Sequence, residues 1–267
     1  VRGMRKKLGI CGDSFMAAIN KSESNPNNGY DKHFTEILGK KLNCDVVTFA
    51  KGGVSNQTIR LQIEEVIKEN PDHVIIGTTT PDRLEIPIPD LRVNNYYDKF
   101  EEKNYNPFNS LYNIKYIDSL NNQSQNHSGF NLLEPTMISE TMSNVLNTKK
   151  HQFISNRKKK ALIEYFDLIY DHEWKNQQDS WILCEGLYKL KKRGISFDII
   201  IFNLHLHYFD EFKEHIIGPE DKLNPWKYYD FNIKSPYSFH LLEEDEILLA
   251  DLWYKKLNKK FRNDKLI

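Results

Sequence analysis

Apolar positions along the first ninety residues switch between two periods. Lys7-Leu8-Gly9-Ile10-Cys11 is a short apolar run stopped by Gly12, and it predicts a strand. From Asp31 to Leu42 the apolar residues Phe34, Ile37, Leu38 and Leu42 fall at helical spacing. Cys44 to Phe49 is rich in β-branched residues and predicts a second strand. Ser55 to Asn70 places Ile59, Ile63, Val66 and Ile67 on one face, with Ser55 or Asn56 as N-cap and Pro71 past the end. His73 to Gly77 predicts a third strand. Strand–helix–strand–helix–strand means right-handed crossovers and a parallel sheet covered on both faces.

The middle of the chain breaks this rhythm. Of 26 Asn in the chain, 12 lie between Asn94 and Asn147, interleaved with Tyr96, Tyr97, Tyr105, Phe108, Tyr112 and Tyr116. So many aromatics do not fit a disordered tract. The stretch from about 84 to 150 is therefore expected to be a surface insertion. Such an insertion serves either as a lid or carbohydrate-facing element, or as decoration. The α/β rhythm then returns. Asn156–Tyr170 and Asp179–Arg193 read as helices, Phe197–Phe202 as a strand, Tyr208–Tyr237 as a polar aromatic loop, and Glu243–Phe261 as a last helix. The expected architecture is one domain over residues 1–267, a three-layer α/β/α fold with a parallel sheet of about five strands.

Composition narrows the class. Lys plus Arg number 37 and Asp plus Glu number 37. A net charge of zero argues against a nucleic-acid or anionic-membrane binder. No apolar run approaches the roughly 20 residues of a membrane span. Cys11, Cys44 and Cys184 are too few and too scattered for a disulfide framework or a cysteine zinc site. The basic start Val1–Lys7 leads into apolar residues that Asp13 soon interrupts, so no secretory signal is expected. These features predict a cytoplasmic protein. The richness in Asn, Lys and Ile fits an AT-rich genome, bacterial or viral; a viral source would place the protein in host cytoplasm or a virion.

In an open parallel sheet, ligands bind beyond the C-terminal strand ends. Gly12-Asp13-Ser14 follows the first strand there, Lys51-Gly52-Gly53-Val54-Ser55-Asn56 the second, and Gly77-Thr78-Thr79-Thr80-Pro81-Asp82-Arg83 the third. His240 stands just ahead of the last helix. These blocks, in this order, resemble the SGNH (GDSL-type) hydrolase family over residues 5–83 and roughly 195–262. Gly12-Asp13-Ser14 matches the family's nucleophile motif, Gly53 its oxyanion glycine, and His240-Leu241-Leu242 its C-terminal histidine block. Thr79 stands where the family has an oxyanion Asn, and Tyr237 where it has the Asp that orients the histidine. With that carboxylate missing, a backbone carbonyl or Asp230 is the acceptor left to orient His240.

The resemblance implies a serine esterase or deacylase with Ser14 as nucleophile and His240 as base. The backbone N–H groups of Ser14 and Gly53, with the Thr79 hydroxyl, would form the oxyanion site. Asp13, Asn56, Arg83 and Tyr237 would line the substrate, a small-molecule or glycan ester such as an acetylated sugar. No cofactor, metal or nucleic acid is implied. An O-acyltransferase could use the same Ser–His pair. Each residue also has a plainer reading: Ser14 as a turn residue, Gly53 as a turn glycine, Thr79 as a cap, His240 as a helix-start residue, Arg83 in a surface pair with Asp82 or Glu85. Together these describe a non-catalytic binding or structural protein on the same fold. His205, His207 and Asp210 form a His-x-His-x-x-Asp pattern, but no further ligand block joins them.

Overall fold

The computed structural model describes residues 5–17, 33–51, 54–81, 84–87, 130–133, 156–202, 204, 206–229 and 241–262. In chain order the elements are β1 (Lys7–Cys11), α1 (Phe34–Leu42), β2 (Asp45–Thr48), α2 (Asn56–Lys68), β3 (His73–Gly77), β4 (Leu84–Pro87), β5 (Phe130–Leu133), α3 (Asn156–Leu168), α4 (His172–Lys192), β6 (Ser196–Ile200), β7 (Ile216–Ile217) and α5 (Glu243–Arg262). Two 3-10 segments, Leu206–His215 and Pro225–Tyr228, flank β7. The chain divides into two compact units, residues 1–80 with 179–267, and residues 81–178.

The first unit holds a five-stranded sheet in the order β2-β1-β3-β6-β7. Every pairing in it is parallel. Helices cover both faces, so the unit is a three-layer α/β/α fold, as the strand and helix periods predict. On one face Leu8, Ile10, Ile75, Ile200 and Ile217 pack against Phe34 and Leu38 of α1 and Leu249, Trp253 and Leu257 of α5, all of them buried. On the other, Gly9 lets α2 close in: a Cβ there would stand 2.5 Å from a Val66 methyl. A fourth helix, α4, packs beside α2, where Gly186 lies against Ile63.

Local chemistry sets the helix starts. Ser55 caps α2, its hydroxyl accepting from the Thr58 N–H. His33 caps α1 in a reciprocal box with Glu36, so α1 begins three residues later than the apolar spacing suggests. α4 begins at His172, earlier than expected from Asp179, because the Asp171 carboxylate accepts the Trp174 N–H at 2.6 Å and starts the helix there. The fifth strand, β7, is two residues inside the expected polar loop, too short to show a period of two.

The second unit, residues 81–178, spans the stretch expected as an insertion, most of which lies outside the described residues. Its described parts are the antiparallel pair β4–β5, helix α3 and the first residues of α4. Tyr165, Phe166 and Tyr170 form a ring cluster in it.

Candidate active site

The sheet order reverses direction between β1 and β3, and an open α/β sheet gathers ligands at that switch point. The Asp13–Met16 turn leaves β1 there. Gly12 opens it with φ +147, where a Cβ would meet Met16 Cγ at 2.4 Å and the Gly77 carbonyl oxygen at 2.9 Å. Only glycine fits this bend. Gln62 of α2 brackets Gly12: its side-chain oxygen accepts the Gly12 N–H at 2.6 Å and its amide donates to the Gly12 carbonyl at 3.1 Å. The Met16 and Ala17 N–H groups both donate to the Asp13 carbonyl at 3.0 Å. Ser14 sits inside this turn, 9% exposed.

Asp13 is fully buried and both carboxylate oxygens are engaged. Oδ1 accepts the Phe15 N–H at 3.0 Å, and Oδ2 accepts the Thr79 hydroxyl at 3.0 Å. Thr79 follows β3 and is itself held from α2. Its N–H donates to Asn56 Oδ1 at 2.9 Å, and its carbonyl accepts from Asn56 Nδ2 at 2.9 Å. The second N–H of that amide donates to Asp179 Oδ2 of α4 at 2.9 Å. Asp13, Ser14, Asn56 and Thr79 are thus brought together from two strand ends and a helix start.

Thr79 and Asn56 both have partners within the protein. The Thr79 hydroxyl directs its proton to Asp13, not toward an oxyanion position. The Asn56 amide has both donors and its acceptor engaged within the protein, leaving no donor for a substrate. Gly53, Arg83, Asp230, Tyr237 and His240 lie outside the described residues. So does His205, while Asp210 pairs with Lys213 at 2.8 Å. Among the described residues, no group of three His, Cys, Asp or Glu side chains could hold a metal ion. Also among them, no helix is long and apolar enough to cross a membrane.

Sequence reasoning missed Asp179, Gln62 and His33. Asn176, Asp179, Ser180, Leu183 and Leu187 share one face of α4 and are all buried. The signal was a polar trio continuing an apolar helical stripe. His33 is also buried; its Nε2 lies 3.2 Å from the Phe15 carbonyl and its Nδ1 2.7 Å from the Thr35 hydroxyl. A carbonyl only accepts, so Nε2 carries the proton and Nδ1 accepts. Phe15 also enters an aromatic stack. Trp226 lies between it and Phe202, with ring centroids 3.6 and 3.5 Å away, and Tyr229 meets Phe15 edge-on at 5.5 Å.

No family model matches the chain, and no curated protein matches it. Solved structures do resemble it. A lipolytic protein of the G-D-S-L family from Desulfitobacterium hafniense DCB-2 aligns over 94% of this chain and 98% of its own, at 10% identity and TM-score 0.42. An acetyl xylan esterase from the rumen bacterium Butyrivibrio proteoclasticus aligns over 97% of this chain at 13% identity and TM-score 0.40; the alignment spans 65% of that esterase. An α/β hydrolase enzyme from the metagenome of Lake Arreo, Spain, aligns over 94% of both chains at 12% identity and TM-score 0.30. The fold itself is defined by the strand order and the all-parallel pairing.

Proposed function

We propose that the protein is an SGNH-like serine esterase or deacylase, acting on an ester such as an acetyl group on a glycan. One observation carries this reading: Ser14 stands in a tight turn at the sheet's switch point, beside a carboxylate clamped at both oxygens. A serine hydroxyl needs a base to become a nucleophile. In this reading His240 takes the Ser14 proton as Oγ attacks the ester carbonyl. The tetrahedral oxyanion is met by the backbone N–H groups of Ser14 and Gly53, since the Thr79 proton is held by Asp13. Collapse breaks the C–O bond, and His240 returns its proton to the leaving alcohol. Water, deprotonated by the same histidine, then cleaves the acyl-enzyme to the carboxylic acid and free Ser14. An acceptor hydroxyl in place of water would make the same site an O-acyltransferase. Arg83 and Tyr237 belong to this proposal as substrate-lining residues.

Labelling with a fluorophosphonate, read by intact mass and peptide mapping, tests the nucleophile whatever the acyl group. The expected result is one adduct, on Ser14. It is absent in Ser14→Ala and slowed by about 10³-fold or more in His240→Ala. Folded protein that takes no adduct overturns the esterase. The second reading, a binding or structural protein without turnover, then leads; the diversion of the Thr79 hydroxyl to Asp13 favours it.

A further inference from the structure

We propose that Asp179 and Asn56 are positioning residues for the Ser14 turn, acting through Thr79 and Asp13. This rests on the esterase reading for its catalytic meaning, but its geometry stands alone. Asp179 and Asn56 are 1% and 0% exposed. A side-chain amide carries a donor end and an acceptor end, and only one orientation suits a given set of partners. Here the Asn56 oxygen faces the Thr79 N–H, and its nitrogen faces both the Thr79 carbonyl and the Asp179 carboxylate. Turning the amide over would set oxygen against two acceptors and nitrogen against a donor. Asp179 therefore fixes the orientation of Asn56, and Asn56 fixes both backbone groups of Thr79.

Thr79 so held can deliver its hydroxyl proton to Asp13 Oδ2. Asp13 Oδ1 in turn receives the Phe15 N–H, one residue beyond Ser14. The relay joins α4, α2, the end of β3 and the end of β1. None of its side chains needs to touch substrate. Misplacing a reacting group by about 1 Å can cost about 10²-fold in rate, so a clamp on this turn has a catalytic consequence. A supporting shell of this kind is what holds a reactive side chain in its working geometry.

Thr79→Val keeps the shape and removes the hydroxyl; Thr79→Ser returns it. Asp179→Asn replaces one acceptor oxygen facing Asn56 with a donor amide. Two readouts apply: hydrogen exchange of the Phe15 amide by NMR, and fluorophosphonate labelling of Ser14 as a function of probe concentration. In Thr79→Val, exchange at Phe15 should rise about tenfold or more. The maximal labelling rate should fall about 10- to 100-fold while the half-saturating probe concentration holds. Thr79→Ser should stay within about threefold of the parent, and Asp179→Asn should move both readouts the same way by less. If Thr79→Val does not fold, Asp179→Asn decides. Folded variants with unchanged Phe15 exchange and unchanged labelling overturn the relay. If even the parent chain takes no label while Phe15 exchange still responds, the relay stands and the esterase reading falls.

Discussion

The two ends of the central sheet each carry a buried polar network, and they are built on opposite principles. At the C-terminal ends of β1 and β3, Asp13 is held by a hydroxyl and a backbone N–H, and Asn56 and Asp179 stand behind them. At the N-terminal ends of β3 and β6 the network is ionic. His73 Nε2 lies 3.1 Å from Asp198 Oδ2, and Lys256 from α5 pairs with Asp198 Oδ1 at 2.9 Å. His73 Nδ1 faces the Ser196 hydroxyl at 2.6 Å and Lys260 Nζ at 3.4 Å.

By contact alone, Ser196, His73 and Asp198 look like a catalytic triad. The charges say otherwise. A general base must become a cation, and burial plus the ammonium groups of Lys260 and Lys256 hold the His73 imidazole below its usual pKa range, against the pull of Asp198. The Ser196 hydroxyl also lies 3.1 Å from the Asp72 carbonyl, which competes for its proton. This end ties α5 to the sheet. The comparison teaches that three residue types in contact do not make a catalytic triad unless the surrounding charges let the histidine take a proton.

The largest expected difference between the two ends is in stability. Asp198→Ala leaves His73 and Lys256 without their shared acceptor. Denaturant unfolding should show a loss of about 3–5 kcal/mol, with the labelling rate at Ser14 unchanged in the protein that remains folded. A labelling rate that falls with it would join the two networks into one.

The pH response should differ in sign. Glu246 of α5 belongs to the Ser14 end: its Oε2 accepts the Phe34 N–H at 2.6 Å, next to the His33 that reaches Phe15. Among the described residues its Oε1 has no hydrogen-bond partner. Burial, with help from Asp245, pushes this carboxyl up to about 8 despite the Phe34 N–H. A raised carboxyl favours folding fully below the unfolded value of 4.5, and that contribution is lost as pH rises through about 8. At the other end, burial alone would raise Asp198, yet His73 and Lys256 outweigh it and hold it below its usual value. Asp198 and the lowered His73 therefore lose their contributions as pH falls: His73 from about 6.5 downward, Asp198 from about 4 downward. Glu246→Gln should remove a slope of up to about 1.4 kcal/mol per pH unit between the unfolded value of 4.5 and about 8, and leave the response below that window alone. Urea unfolding at pH 5, 6.5 and 8 checks this; parallel curves for parent and variant would refute the neutral carboxyl.

The smallest effect belongs to an exposed pair on the same two helices that Glu246 joins. Lys41 of α1 and Asp251 of α5 stand 2.6 Å apart, with side chains 38% and 44% exposed. Lys41→Ala should cost under about 1 kcal/mol by denaturant unfolding, and less still in high salt. A larger cost would mean that exposed charge, not the buried groups, holds α5 in place.

Much of the scaffold was legible in the chain itself. Alternating short apolar runs and helical stripes gave the parallel α/β layers, and the cap of α2 was narrowed to Ser55 or Asn56, of which the structure uses Ser55. Gly12-Asp13-Ser14 could be placed at a strand end because a glycine after an apolar run marks a turn. These features depend on neighbours within a few residues, where period and backbone conformation are written directly in the residue types. The partners of Asp13 and Asn56 were not legible. Asn56 meets Thr79 and Asp179 across 23 and 123 residues. His73 meets Asp198 across 125. A side-chain amide or carboxylate has no period and the same local cost wherever it lies. Only the packing of α2, α4 and α5 on the sheet decides which donor faces which acceptor. The sequence by itself determined four of the five strands of the parallel sheet, the helices packed on it and the place of the serine turn. The tertiary structure decided that Thr79 serves Asp13, that Asp179 stands behind Asn56, and that the histidine at the far end of the sheet is a tie and not a base.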